Sequence, residues 1–124
     1  MKDPVKIFVY GTLMPHEGNY DFFLRGFTNY EKKATVTGEL WSYNGIPMLI
    51  EGNEKIEGYL VELKNNWQLY VIDRLEYGYS RVLRDVILDD GGKAEEAYVY
   101  MFDKNTALQL GAVNTGVVRY SAYT

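Results

Sequence analysis

Apolar residues in this chain fall mostly in short β-type runs bounded by glycine and asparagine, and helical spacing is clear in only one stretch. Val5, Ile7, Phe8 and Val9 form a β-prone run broken only by Lys6, and Gly11 ends it with a backbone freedom that a side chain would deny. Asn19 precedes Tyr20 to Arg25, and Gly26 follows, which predicts a short helix with an asparagine N-cap and a glycine stop. Lys32 to Tyr43 predicts a long strand with a bulge or bend at Gly38. Asn44-Gly45 is a hairpin turn signal, after which Pro47 to Ile50 returns as a short third strand. Gly52-Asn53 predicts another turn, leading into a fourth strand over Ile56 to Leu63.

Asn65-Asn66 is placed to cap the best helix of the chain, in which Trp67, Tyr70, Val71 and Leu75 recur at helical spacing with Asp73 and Arg74 outside. Arg81 to Leu88 reads as a fifth strand, Asp89 to Lys93 as a hairpin turn, and Ala97 to Phe102 as a sixth strand. In the tail a helical turn is expected near Ala107-Leu108 and a strand near Val117-Val118. Six or seven strands with two or three short helices make an α+β, mainly β domain. Strands apolar on both faces, such as Ala97 to Phe102, require a small barrel or a covered sheet.

With 124 residues and no linker, repeat or low-complexity tract, residues 1–124 are expected to form a single domain with its own core. A net charge of −4 with acids and bases interspersed argues against a nucleic-acid or anionic-membrane surface, since phosphate binding needs clustered cations. Lys32-Lys33 is the nearest approach to a basic patch and reads as a guard on a strand edge. The absence of cysteine excludes disulfides, thiolate nucleophiles and thiolate-bound metals, and His16 as the single histidine excludes a multi-histidine metal site within one chain. No run approaches the roughly 18 apolar residues of a membrane span, and no signal-peptide core follows Met1, so the expected location is the cytoplasm.

Two stretches carry candidate chemistry. In Val9-Tyr10-Gly11-Thr12-Leu13, a turn at the strand end can direct the N–H groups of Gly11 to Leu13 into a concave anion or carbonyl site; an ordinary strand end is the plainer reading. In Ile72-Asp73-Arg74-Leu75-Glu76-Tyr77-Gly78-Tyr79-Ser80-Arg81, acids lie at a helix C-terminus, where the partial negative charge disfavours them by a few tenths of a kcal/mol to about 1 kcal/mol. Such violations concentrate at functional sites. Two explanations stand at this point: Arg74 and Arg81 neutralise the acids on a solvated surface, or Glu76 belongs to a site.

Taken together, Tyr10-Gly11-Thr12-Leu13 with Asn19, and Ile72-Asp73-x-Leu75-Glu76 followed by Tyr79 and Arg81, resemble the γ-glutamylcyclotransferase-like family, which includes γ-glutamylamine cyclotransferases and AIG2-like proteins. Gly45-x-Pro47, Gly58 and Tyr98-Val99-Tyr100 fall in the same family-like order. The resemblance implies a small mixed six- or seven-stranded β-barrel with peripheral helices and a reaction without cofactor or metal. The α-amine of a small γ-glutamyl substrate attacks its own γ-carbonyl and releases 5-oxoproline and an amine. By motif match, Tyr10, Gly11, Thr12 and Leu13 form the substrate loop and Glu76 is the general acid/base. A free glutamate near pKa ~4.3 is a poor base for an amine at ~8, by roughly 5 kcal/mol. The resemblance therefore predicts a partly buried Glu76 without an arginine on it. The segment between Glu76 and Tyr79 is shorter than is usual in the family, and His16 and Gly18 replace a more glycine-centred loop.

Other readings of the site are a non-catalytic barrel that binds a small ligand and a hydrolase acting on a related amide. Thr12 with His16 lacks the orienting acid and glycine-flanked elbow of a hydroxyl nucleophile. Asp89-Asp90-Gly91-Gly92 lacks the spaced ligands of a calcium loop. Asn19 is assigned to helix capping, Trp41 and Trp67 to the core, and Tyr98 and Tyr100 to packing on one strand face.

Overall fold

A computed structural model describes residues 4–11, 13–15 and 17–116. The strands are β1 (Lys6–Val9), β2 (Thr28–Tyr43), β3 (Ile46–Leu63), β4 (Ser80–Leu88), β5 (Ala94–Met101) and β6 (Val113–Asn114). The helices are α1 (Tyr20–Phe23), α2 (Trp67–Leu75) and α3 (Lys104–Leu110). β3 pairs with β1, β1 with β5, β5 with β4, β4 with β2 and β2 with β3, so five strands close on themselves. The β1–β5 pair is parallel and the others antiparallel, making the barrel mixed. Closure removes the exposed edges that an open sheet would present. The sixth strand, β6, adds a two-residue pairing to Trp41 and Ser42 of β2.

The hairpin between β2 and β3 turns at Asn44-Gly45, both at positive φ (50° and 79°), as a two-residue turn of the primed type requires. Beyond it, the third and fourth strands expected from sequence are one strand. β2 is long enough to pair with both parts of β3, and the register jumps from Gly38↔Glu54 to Glu39↔Ile50. Gly52-Asn53 is thus a bulge within β3, not a turn between strands. Its crowding explains the glycines: a Cβ on Gly52 would lie 2.4 Å from Glu39 Cγ, and one on Gly38 would lie 2.9 Å from the Ile50 carbonyl oxygen.

Alternation along β1 sends Phe8, with Tyr10 beyond the strand end, into the barrel, where Leu40, Leu49, Leu60, Val86 and Val99 join them. Ile7 and Val9 face outward beneath α1 and α2, against Leu24, Leu63, Leu69 and Ile72. Burial on both faces explains why β1 and the second half of β5, Ala97 to Met101, read as nearly continuous apolar runs.

Several local expectations are corrected. The buried face of α2 is Gln68, Leu69 and Ile72, while Trp67 and Tyr70 are 53% and 65% exposed. The apolar stripe is rotated by about one residue, and Trp67 packs edge-on against Phe27 instead of entering the core. Gln68 is tolerated inside because its amide donates to the Phe23 carbonyl, linking α2 to the end of α1. Asn66 and Asn19 occupy N-cap positions, but neither side chain makes a capping bond. The capping side chain is Asp103, whose carboxylate accepts from Thr106 N at 2.9 Å to start α3. Lys32-Lys33 lies on an inner strand, β2, flanked by β3 and β4, not at an edge. Val117-Val118 lies outside the described residues.

Candidate functional site

A cavity of about 350 Å³ opens where four segments meet. The end of β1 contributes Tyr10, Gly11 and Leu13; the β2–β3 turn contributes Gly45, Ile46 and Pro47; the end of α2 contributes Leu75, Glu76 and Tyr77; and Tyr79 and Tyr100 complete the wall. The two stretches singled out from sequence, more than sixty positions apart, therefore share one cavity. Of the expected substrate loop, Tyr10, Gly11 and Leu13 line it, while Thr12 and His16 are outside the described residues.

Glu76 is the residue at which α2 ends: its N–H closes the last helical turn on the Ile72 carbonyl at 2.9 Å. Its carbonyl accepts the Tyr79 N–H at 3.0 Å, so a tight turn with Gly78 at φ +95° leads directly into β4. The carboxyl takes part in no ion pair or hydrogen bond among the described residues. Burial among the cavity walls pushes it from its ordinary 4.5 up to about 7. Neither arginine is on it. Arg81 instead places Nη1 3.6 Å from Asp73 and its guanidinium 4.7 Å from the Tyr98 ring centre, and Arg74 points to solvent. The surface-neutralisation explanation therefore accounts for Asp73 but not for Glu76.

The tyrosines around the carboxyl are held in place. Tyr10 is stacked on Phe8 and buried; its hydroxyl donates to the Tyr100 carbonyl at 2.7 Å and accepts from Leu49 N at 3.2 Å. Burial raises its pKa well above the ordinary value. Tyr79 donates to the Pro47 carbonyl at 2.5 Å and meets Phe102 edge-on. Tyr100 donates to Asp73 Oδ1 at 2.7 Å, and burial and that carboxylate both push its pKa upward. Pro47 also seals the loop: a Cβ on Gly11 would lie 2.9 Å from its Cγ, so only glycine lets the hairpin tip approach this closely.

Sequence reasoning assigned Asn19 to capping, but it lines the cavity, and it assigned Tyr100 to packing, which it does against the outer apolar cluster while also lining the cavity. Pro47 and Tyr77 were not singled out as site residues; Asn44-Gly45 marked the turn that brings Pro47 there, and nothing in the sequence marked Tyr77, which is 92% exposed. No group of three His, Asp or Glu residues able to hold a metal occurs among the described residues, and no helix there is long and apolar enough to cross a membrane.

Comparison with curated proteins returns no match. Solved structures share the fold. An AIG2-like protein from Mus musculus superposes with TM-score 0.70 at 21% identity, over 81% of this chain and 78% of that one. A uropathogenic E. coli-specific protein gives 0.71 at 17% identity, over 98% and 96%. Kluyveromyces lactis allophanate hydrolase gives 0.68 at 14% identity, with 98% of this chain matching 21% of that one. A family profile described as "Gamma-glutamyl cyclotransferase, AIG2-like" matches residues 7–117, nearly the whole of the barrel and its site. With strand end, hairpin and helix terminus all inside the matched span, the chain belongs to the γ-glutamyl cyclotransferase, AIG2-like family.

Proposed function

We propose that the chain is a γ-glutamylcyclotransferase that converts a small γ-glutamyl amide into 5-oxoproline and the free amine, with Glu76 as general acid/base and the loop at Tyr10, Gly11, Thr12 and Leu13 as the substrate and oxyanion site. The observation that carries this reading is the Glu76 carboxyl, partly buried and paired with no cation among the described residues, in the same cavity as Gly11 and Leu13. At about 7 it lies within about one pH unit of an amine near ~8, so the adverse gap falls from roughly 5 to about 1.4 kcal/mol.

The reaction balances without water or cofactor. Glu76 takes a proton from the substrate's α-ammonium, and the freed lone pair bonds to the γ-carbon as the carbonyl π electrons move onto oxygen. Amide N–H groups of the loop stabilise that oxyanion. Glu76 then returns its proton to the leaving nitrogen as the oxyanion collapses and the original C–N bond breaks, and takes the second proton that the ring nitrogen must lose to become the neutral lactam. That proton leaves on the released amine as its ammonium. Using one carboxyl in both directions suits a group poised near neutrality. The nucleophile and electrophile belong to one molecule, so holding the substrate folded supplies much of the acceleration, of order 7–11 kcal/mol when well oriented.

The test is incubation with a panel of γ-glutamyl amines, amino acids and peptides, with 5-oxoproline measured. Wild type is expected to release it, and Glu76→Gln to lose 10²-fold or more in kcat while still binding. Equal turnover by both proteins removes Glu76 from the mechanism. Glutamate in place of 5-oxoproline makes the protein a hydrolase, and binding without turnover across the panel makes it a ligand-binding barrel.

A further inference from the structure

The three buried or half-buried tyrosines of the cavity have all spent their phenolic protons inside the protein. Tyr10 donates to the Tyr100 carbonyl, Tyr79 to the Pro47 carbonyl and Tyr100 to Asp73. A tyrosine hydroxyl has one proton and otherwise only lone pairs to offer. None of these three can donate to an oxyanion. Tyr10 also accepts the Leu49 N–H, so both its functions are taken.

Tyr100 differs. Its proton is fixed on Asp73 Oδ1, and the other oxygen of that carboxylate lies 3.6 Å from Arg81. Asp73, in the last turn of α2, precedes the C-cap residue Glu76 by three positions, which puts the two acids on one face of the helix end. Tyr100 and Glu76 line the same cavity. The Tyr100 hydroxyl is within electrostatic reach of the Glu76 carboxyl and is held as an acceptor, an arrangement that suits a cationic N–H donor and is wrong for an oxyanion.

We propose that Tyr100, oriented by Asp73 and Arg81, accepts a hydrogen bond from the substrate's α-ammonium and holds that nitrogen beside Glu76. Tyr100 is then a substrate-binding residue, and Asp73 and Arg81 are positioning residues acting through it. The proposal rests on the cyclotransferase reading and adds to it the group that selects for a γ-glutamyl amide over the same amide without an α-amine.

The experiment pairs the best substrate of the panel with its deamino counterpart, the glutaric monoamide of the same amine, which cannot cyclise and is assayed as a competitive inhibitor. Tyr100→Phe is expected to lower kcat/KM about 10- to 100-fold, the range for one hydrogen bond to a charged group, while Ki for the glutaric monoamide changes less than about twofold. Asp73→Asn, whose amide can donate to Tyr100 and turn its proton into the cavity, is expected to show the same split, and carries the test if Tyr100→Phe does not fold. Equal weakening toward both ligands, or none toward either, overturns the proposal. Should the wild type turn over nothing in the panel, the cyclotransferase reading fails by itself. Calorimetry with γ-glutamyl p-nitroanilide and glutaric mono-p-nitroanilide then decides the ammonium site: at least tenfold preference for the former supports it, and equal or absent binding overturns it.

Discussion

Tyr10 and Tyr100 are joined across the β1–β5 seam by a 2.7 Å hydrogen bond from the Tyr10 hydroxyl to the Tyr100 carbonyl. The same hydroxyl accepts the Leu49 N–H, so one phenol joins three segments at the floor of the cavity. This explains how a residue of the expected substrate loop can matter without offering the substrate a proton. Tyr10→Phe is expected to cost about 2–3 kcal/mol, because it leaves two buried backbone groups unpaired. Its KM for a γ-glutamyl substrate should stay within about threefold of wild type. Denaturant melts alongside initial rates check this, and a large KM increase at unchanged stability would return Tyr10's hydroxyl to the binding site.

Glu76 must be ionised to accept the ammonium proton, and burial holds it at about 7. The acid limb of the kcat/KM profile is therefore expected near pH 7, well above that of a solvated glutamate, with activity rising as pH increases through it. A rate profile with its acid limb near 4.5 would mean that the essential group is not a buried carboxyl.

The same burial has a stability consequence. Below about pH 4.5 the carboxyl is protonated in both folded and unfolded chains. Between 4.5 and 7 the unfolded chain releases a proton that the folded chain retains, so stability falls as pH rises across that window. At about 1.4 kcal/mol per pH unit the loss reaches about 3 kcal/mol. Glu76→Gln has no such proton to lose. It should be more stable than wild type at pH 8 and should lose that advantage by pH 5. Thermal melts of both proteins across this range measure it.

Gly58 of β3 passes so close to the end of β1 that a Cβ there would lie 2.3 Å from the Val9 carbonyl oxygen and 2.6 Å from Phe8 Cζ. The first obstacle is backbone and cannot swing aside. Gly58→Ala should force β1 outward, cost several kcal/mol and displace the loop that begins at Tyr10. Gly18→Ala, with open space around its Cβ, serves as the control. An unchanged melting temperature for Gly58→Ala would contradict the close approach of β1 and β3.

Local signals specified most of the elements because each rests on neighbours in the chain. The primed turn at Asn44-Gly45 needs two residues that accept positive φ, and the helix over Trp67–Leu75 needs only its own periodicity. The same locality misled where a partner decided the outcome. The bulge at Gly52 looks like a turn until β2 is seen to run past it on both sides. The orientation of α2 was set by the outer face of β1 and β3, which buries Leu69 and Ile72 and leaves the more aromatic Trp67 and Tyr70 in solvent.

The chain by itself determined a mainly β domain, the glycine-ended first strand and an acid misplaced at a helix end, since backbone freedom, alternation and the helix dipole act over a few residues. Only tertiary structure decided that five strands close into a barrel, that Arg81 goes to Asp73 and not to Glu76, and that Tyr100 turns its proton away from the cavity. Ion pairing and burial depend on which distant segments meet, and no spacing along the chain encodes the solvent excluded when Tyr10, Pro47 and Tyr100 converge on one carboxyl.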